Sequence, residues 1–321
     1  MNPRVVVVTQ QMVDEERVRQ MAPDGIELVI SSPADARWAD LMSQAEYLVG
    51  FVDMLVKPEL YRIAPRLRLI QLLSAGYDRS DIAAARKAGV PLANNGGAHA
   101  VAVSEHALMF MLALSRKLLG QHANVVAGRW RGPSTPRLHE LRGQTLGIVG
   151  MGTIGKKTAR IAQAFGMRVH YYDIARLPED VEDALDVRFR LFGELLRDSD
   201  VLSLHVPLNE TTRGMVGEAE LTRMKPTALL INTSRGPVVD EQALHRALAA
   251  RTIAGAGLDV FDVEPPPADH PLFALDNVVL TAHMAGPTQE SNPARLRNAF
   301  DNVQRVARGE PALWVVPELS A

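Results

Sequence analysis

Residues 145–165 read TLGIVGMGTIGKKTARIAQAF, and no other stretch restricts the fold as tightly. Thr145 to Val149 has the composition of a buried strand. Gly150, Gly152 and Gly155 follow in G-x-G-x-x-G spacing, and Lys156 to Phe165 continues as a helical run. In that context the first glycine permits a tight turn, the second lets backbone approach a pyrophosphate, and the third lets helix and strand pack closely. The phosphates then rest on the positive N-terminus of the helix. The next strand, RVHYY, ends at Asp173, where a carboxylate accepts hydrogen bonds from ribose hydroxyls and repels a 2′-phosphate. NAD is therefore expected in preference to NADP, with Arg176, three residues on, as a group that would partly offset the preference.

The remainder of the chain alternates in the same manner. Val5 to Val8, Glu27 to Ile30, Tyr47 to Val49 and Leu69 to Leu72 read as strands; Glu15 to Met21, Ala36 to Ser43, Pro58 to Ile63 and Asp81 to Ala88 read as helices between them. Alternation of this kind predicts parallel βαβ units and a first α/β domain. A helix-compatible run from Ala100 to about Leu119 and a polar segment with Arg129, Trp130, Pro133 and Pro136 bridge to a second series. That series has six strand candidates, TLGIV, RVHYY, VLSLHV, ALLIN, AGAGLDV and NVVLT, enough for a complete doubly wound sheet. The tail from Thr288 to Arg308 spaces Ala294, Phe300, Val303 and Val306 as a final helix, expected to return to the first domain.

A chain of 321 residues accommodates two such domains. Its 22% charged residues are interspersed and its net charge is −2, which argues against nucleic acid or a membrane surface as a partner. With no cysteine, disulfides, thiolate metal sites and cysteine nucleophiles are excluded. The apolar run at Val5 to Val8 is too short for a signal peptide or a membrane span, so a cytoplasmic protein is expected. No histidine pair has helical metal-binding spacing, and no metal is expected.

Three residues placed after later strands suit a reaction at the carboxyl edge of a parallel sheet: Arg235 in INTSRGPVVD, Glu264 in GLDVFDVEPP and His283 in VVLTAHMAGPT. A planar guanidinium grips a carboxylate, and an imidazole exchanges the proton that accompanies hydride transfer to or from a carbonyl. A glutamate bonded to that ring favours its charged form and completes a proton relay. The other histidines, His106 and His205 among them, are read as structural or solvated.

These segments, together with GMGTIG, LHVPLNETTRGMV and HMAGPT, make the chain resemble the D-isomer-specific 2-hydroxyacid dehydrogenases over essentially its full length. The resemblance implies an α/β fold of two Rossmann-like domains. A flavodoxin-like substrate domain would use both chain ends (1–98 and 288–321), with a doubly wound NAD-binding domain (99–287) inserted. It implies a homodimer joined mainly through the cofactor domains. It also implies substrate contacts from Ser74, Ala75 and Gly76 beside Arg235 and His283, and cofactor contacts from Gly150, Gly152, Thr153, Ile154, Gly155, Asp173, Pro207, Thr212, Thr233, Ser234, Asp259, Ala285 and Gly286. Arg235, Glu264 and His283 keep the catalytic roles given above. Two positions depart from the family pattern: Ala282 replaces the usual proline before the histidine, and Ser104 the usual alanine before Glu105. The first bears on how firmly His283 is presented.

The segment VGFVDML, which in that family faces the substrate, carries Phe51, Val52, Met54 and Leu55, with Asp53 as its one charge. This lining predicts a small unphosphorylated 2-keto or 2-hydroxy acid, such as glyoxylate, hydroxypyruvate or a longer apolar-tailed acid, in preference to 3-phosphoglycerate. A second class of function shares the fold: an NAD(H)-binding redox sensor that docks protein partners, like the corepressors of the same superfamily.

Overall fold

The computed structural model describes residues 2–9, 14–132 and 135–320; Pro133 of the polar segment lies outside them. The chain divides into two compact units, Met1–His99 with Thr288–Ala321, and Ala100–Pro287.

The first unit holds five parallel strands: β1 (Arg4–Val8), β2 (Glu27–Ser31), β3 (Tyr47–Gly50), β4 (Leu69–Leu72) and β5 (Leu92–Ala93). Their order is β2-β1-β3-β4-β5, the flavodoxin-like winding with its switch point between β1 and β3. The unbroken VVVV of β1 follows from burial on both faces. Val5 and Val7 join Tyr47, Val49 and Leu69 in one core, against Leu296, Phe300 and Val303 of helix Ser291–Ala307. Val6 and Val8 join Leu48, Ile70 and Leu72 in the other. Asp14 and Asp81 cap their helices by accepting from the N–H of Glu16 and Ala84.

The second unit holds β6 (Thr145–Val149), β7 (Arg168–Tyr172), β8 (Val187–Phe189), β9 (Val201–Leu204), β10 (Leu229–Asn232), β11 (Gly255–Leu258) and β12 (Val278–Leu280). All are parallel, in the order β12-β11-β10-β9-β6-β7-β8. The order in which strands are added switches sides between β6 and β9, and the carboxyl ends of those strands frame the crevice where such folds bind ligands. The run expected to be helical to about Leu119 is interrupted. Helix Ala100–Ser115 stops, Lys117 takes φ 50°, and a second helix covers Leu118–Val126. No described helix is long and apolar enough to cross a membrane.

Candidate active site

Gly150 leaves β6 with φ +95°, and its N–H donates to Tyr172 O at 2.9 Å. A Cβ at Gly150 would lie 2.6 Å from His205 O, and one at Gly155 would lie 2.3 Å from Gly150 O. Packing therefore requires the first and third glycines. Gly152 precedes helix Thr153–Ala164 and differs: a Cβ there would meet nothing within 4 Å. The space in front of Gly152, Thr153 and Ile154 is an open cradle at a helix N-terminus, which fits a pyrophosphate. After β10 the Thr233 hydroxyl is buried without a partner among the described residues, a polar group that a bound cofactor would satisfy.

Asp173 follows β7. Its Oδ2 accepts from Met151 N–H at 2.8 Å and its Oδ1 from Ala175 N–H at 3.2 Å, so the carboxylate is fixed beside the glycine turn. Arg176 does not reach back toward it as a free cation. Its Nε and Nη2 both donate to Glu182 at 2.9 Å, and the buried Glu182 also accepts from Tyr171 O–H at 2.6 Å. The Arg176 hydrogen bonds, aided by Tyr171 and outweighing the cost of burial, pull the Glu182 carboxyl from 4.5 down to about 2. A folded-state value below the unfolded one gives stability that is present above pH 4.5 and lost as pH falls toward 2. Glu182→Gln is therefore expected to lower Tm by ~3–6 °C at pH 7, a deficit that shrinks in melts recorded at pH 3.

Pro207 and Thr212 lie on the loop after β9, where Thr212 Oγ1 donates to Pro207 O at 2.6 Å. Ser234 and Arg235 follow β10. Ser234 Oγ donates to Asn232 Oδ1 at 2.8 Å, Asn232 Nδ2 donates to Arg235 O at 2.9 Å, and Arg235 Nη1 donates to Ser234 O at 2.8 Å. Gly236 allows this turn: a Cβ there would lie 2.0 Å from Phe261 C.

His283 and Glu264 meet at 2.7 Å through Nδ1 and Oε2, and Glu264 Oε1 accepts from Phe261 N–H at 3.0 Å. Burial alone would raise the Glu264 carboxyl. The bond and charge of His283, with the Phe261 N–H and the Arg235 charge, outweigh it and hold the carboxyl below its ordinary value. His283 has φ 55°, an uncommon backbone for a non-glycine residue. It is held there by Asp259, one residue beyond β11, whose carbonyl accepts from His283 N–H at 2.8 Å. The Asp259 carboxylate, 1% exposed, accepts from the N–H groups of Met284 and Ala285 at 2.8 and 2.9 Å and from Thr281 Oγ1 at 2.5 Å. Asp259 thus anchors the loop running through Ala285 to Gly286. With alanine at 282, this anchor supplies the restraint.

His106 completes the network. Its Nε2 is 2.9 Å from Thr281 Oγ1 and 3.7 Å from Asp259 Oδ1. Its pKa is lowered mainly by burial, against the opposing charge of Asp259. In the sequence His106 only begins a helical run with no partnered motif beside it, since Thr281 and Asp259 lie more than 150 positions away. Among the described residues, no group of three or more His, Asp or Glu side chains could hold a metal ion. Ser74, Ala75 and Gly76 belong to the five-stranded unit and follow β4; Ser74 Oγ donates to Gly76 O at 2.8 Å and Ala75 O accepts from Asn94 Nδ2 at 2.9 Å.

The model of the D-isomer specific 2-hydroxyacid dehydrogenase family, NAD binding domain, matches residues 108–285. The chain belongs to that family. It is accordingly an oxidoreductase of 2-hydroxy acids, with a nicotinamide cofactor held by the seven-stranded unit. Family relatives include a glyoxylate reductase of Korarchaeum cryptofilum, 41% identical over 84% of this chain and 82% of the relative. Another is a glyoxylate reductase of Thermococcus litoralis, 38% identical over 91% of this chain and 93% of the relative. Among solved structures, a glyoxylate reductase from Paecilomyes thermophila superposes with a TM-score of 0.88 at 30% identity, covering 100% of both chains. Dehydrogenase membership thus joins two units of parallel sheet, one of them carrying the glycine turn and the Glu264–His283 pair.

Proposed function

We propose that this dehydrogenase interconverts a small unphosphorylated 2-keto acid, glyoxylate or hydroxypyruvate foremost, and its 2-hydroxy acid, using NAD(H) in the cytoplasm. The observation that carries the reading is the 2.7 Å contact between His283 Nδ1 and Glu264. It leaves Nε2 as the nitrogen that exchanges a proton with the substrate oxygen. Nicotinamide, when bound, supplies or accepts the hydride at C2. Arg235 grips the substrate carboxylate through its planar fork. Glu264 balances the imidazolium during reduction, and the neutral ring acts as base in oxidation. Asp259 keeps the imidazole in place through the backbone of its loop.

The names of the relatives favour glyoxylate as a first substrate, and two features of the coenzyme site favour NAD. Asp173 is fixed beside the glycine turn, and Arg176 is engaged by Glu182. Asp173→Ala is therefore expected to raise the NADP-to-NAD ratio of kcat/KM by about tenfold or more, chiefly by weakening NAD. An unchanged ratio in parallel NADH and NADPH assays would assign the preference to another group.

Apolar side chains exposed on the seven-stranded unit support a homodimer. Leu118, Leu119, Val125 and Val126 are each more than half exposed, and Trp130 is 80% exposed. Exposed apolar side chains of this kind are what an association face would cover. The substrate reading is tested by NADH oxidation against glyoxylate, hydroxypyruvate, pyruvate, phenylpyruvate and branched 2-keto acids. Turnover of one or more is expected, and equal or better turnover of 3-phosphohydroxypyruvate would overturn the unphosphorylated assignment.

A further inference from the structure

The Phe261 N–H holds Glu264 Oε1, so the placement of the Phe261–Asp262 peptide sets where that carboxylate meets His283. Gly236 packs directly against this peptide: a Cβ there would lie 2.0 Å from Phe261 C and 2.5 Å from Asp262 N. Glu241, the first residue of helix Glu241–Ala249, ties the same peptide down by accepting from Asp262 N–H through Oε2 at 3.2 Å. The other oxygen of Glu241, Oε1, lies 2.9 Å from His270 Nε2. His270 Nδ1 accepts from Leu272 N–H at 3.4 Å, so Nε2 carries the ring proton and donates it to Glu241. The side chains of His270 and Glu241 are 10% and 19% exposed. The His270 ring also stands edge to face with Phe261, centroids 5.7 Å apart, and Phe273 flanks both rings.

One carboxylate thus joins the start of a helix, the loop after β11 and the turn at Pro271–Ala274. We propose that Glu241 and His270 are positioning residues for the reaction: they lock the Phe261–Asp262 peptide and thereby hold Glu264 against His283. The inference rests on the 2-keto acid reading and deepens it, since the pair acts through the proton relay of that site and touches no reacting atom. A linked set of hydrogen bonds largely out of water restrains its members together, and a reacting group displaced by about 1 Å loses ~10²-fold in rate. The residue type follows from the donors it faces. A carboxylate accepts from Asp262 N–H and His270 Nε2–H at once, whereas a carboxamide has one accepting oxygen and turns its NH2 toward the second donor. Spacing does not reveal the pair, because Glu241 and His270 stand 29 positions apart.

The test measures kcat/KM for glyoxylate and hydroxypyruvate with NADH in Glu241→Ala, Glu241→Gln and His270→Phe, each made in the wild-type and the Glu264→Gln backgrounds. In the wild-type background a fall of about tenfold or more is expected for Glu241→Ala, and a smaller one for the shape-preserving Glu241→Gln, with the Kd of NADH unchanged. His270→Phe keeps an aromatic ring against Phe261 but removes the donor to Glu241, so it should lose rate in the same direction. With Glu264 already replaced, the same substitutions should cost no more than about twofold, because the group they position is gone. Equal losses in both backgrounds would overturn the proposal, leaving the pair as support for the fold at large. A second readout needs no substrate. Ring 15N shifts of His283, assigned with His283→Asn, report which nitrogen carries the proton. At a pH where the ring is neutral, wild type should hold the Nδ1–H form bonded to Glu264, and Glu241→Ala should move toward the Nε2–H form. Identical shifts in the two proteins would overturn the positioning role. If wild type reduced no 2-keto acid, the activity reading would fail, while the ring shifts would still decide whether Glu241 positions Glu264.

Discussion

His283→Ala is expected to lower turnover by ~10²–10⁴-fold, with NADH binding retained in fluorescence titrations. The expectation follows from the division of roles in the seven-stranded unit. The imidazole is fixed through Nδ1 by Glu264, whereas the groups that fit a pyrophosphate, at Gly152 and the first turn of helix Thr153–Ala164, lie on a separate loop. Because residue 283 sits at φ 55°, alanine would also strain the backbone. His283→Asn removes that ambiguity, since asparagine tolerates the left-handed region far better. Both variants should lose turnover alike. Wild-type rates in either would remove the proton-transfer role from His283.

Gly155→Ala is expected to have the largest effect on coenzyme binding. The added Cβ would lie 2.3 Å from Gly150 O and 3.2 Å from Ile148 Cγ2. Neither atom is the tip of a flexible side chain, so the helix must move off the strand and carry its N-terminal N–H groups with it. Overpacking of this kind costs ~1–3 kcal/mol or more, which should appear as a lower Tm and an NADH affinity weakened by about tenfold or more. Gly152→Ala is the informative partner. Its Cβ meets no protein atom within 4 Å, so Tm should hold while NADH binding weakens, because the methyl group enters the cradle. Equal affinities in Gly155→Ala and wild type would mean the helix does not need its close approach to β6.

Much of this was legible because its causes are local. The glycine turn announces itself within ten residues, and strands buried on both faces read as uninterrupted apolar runs such as VVVV. β5 and β8 escaped notice because strands of two and three residues, Leu92–Ala93 and Val187–Phe189, are too short to show a period. The break at Lys117 was invisible because apolar spacing continues across it, and only the left-handed backbone reveals the stop. At the site, residue types after strands pointed to Arg235, Glu264 and His283. The sequence could not show that His106, Thr281 and Asp259 interlock, nor that Glu182 engages Arg176 instead of leaving it available to a 2′-phosphate.

The five-stranded unit is made from both ends of the chain, and this bears on its birth at the ribosome. Phe300 and Val303 fill the core against β1, β3 and β4. Asn302 Nδ2 donates to the buried Gln71 Oε1 at 2.6 Å, and its Oδ1 accepts from Leu313 N–H at 2.7 Å. During synthesis, residues 1–99 emerge well before these pieces, which are not available until residues 300–313 have been translated, whereas residues 100–287 can complete their own sheet in the meantime. Nascent chains released before about residue 290 should therefore expose the uncovered face of the early strands to chaperones, and a C-terminal truncation should harm the half of the molecule made first.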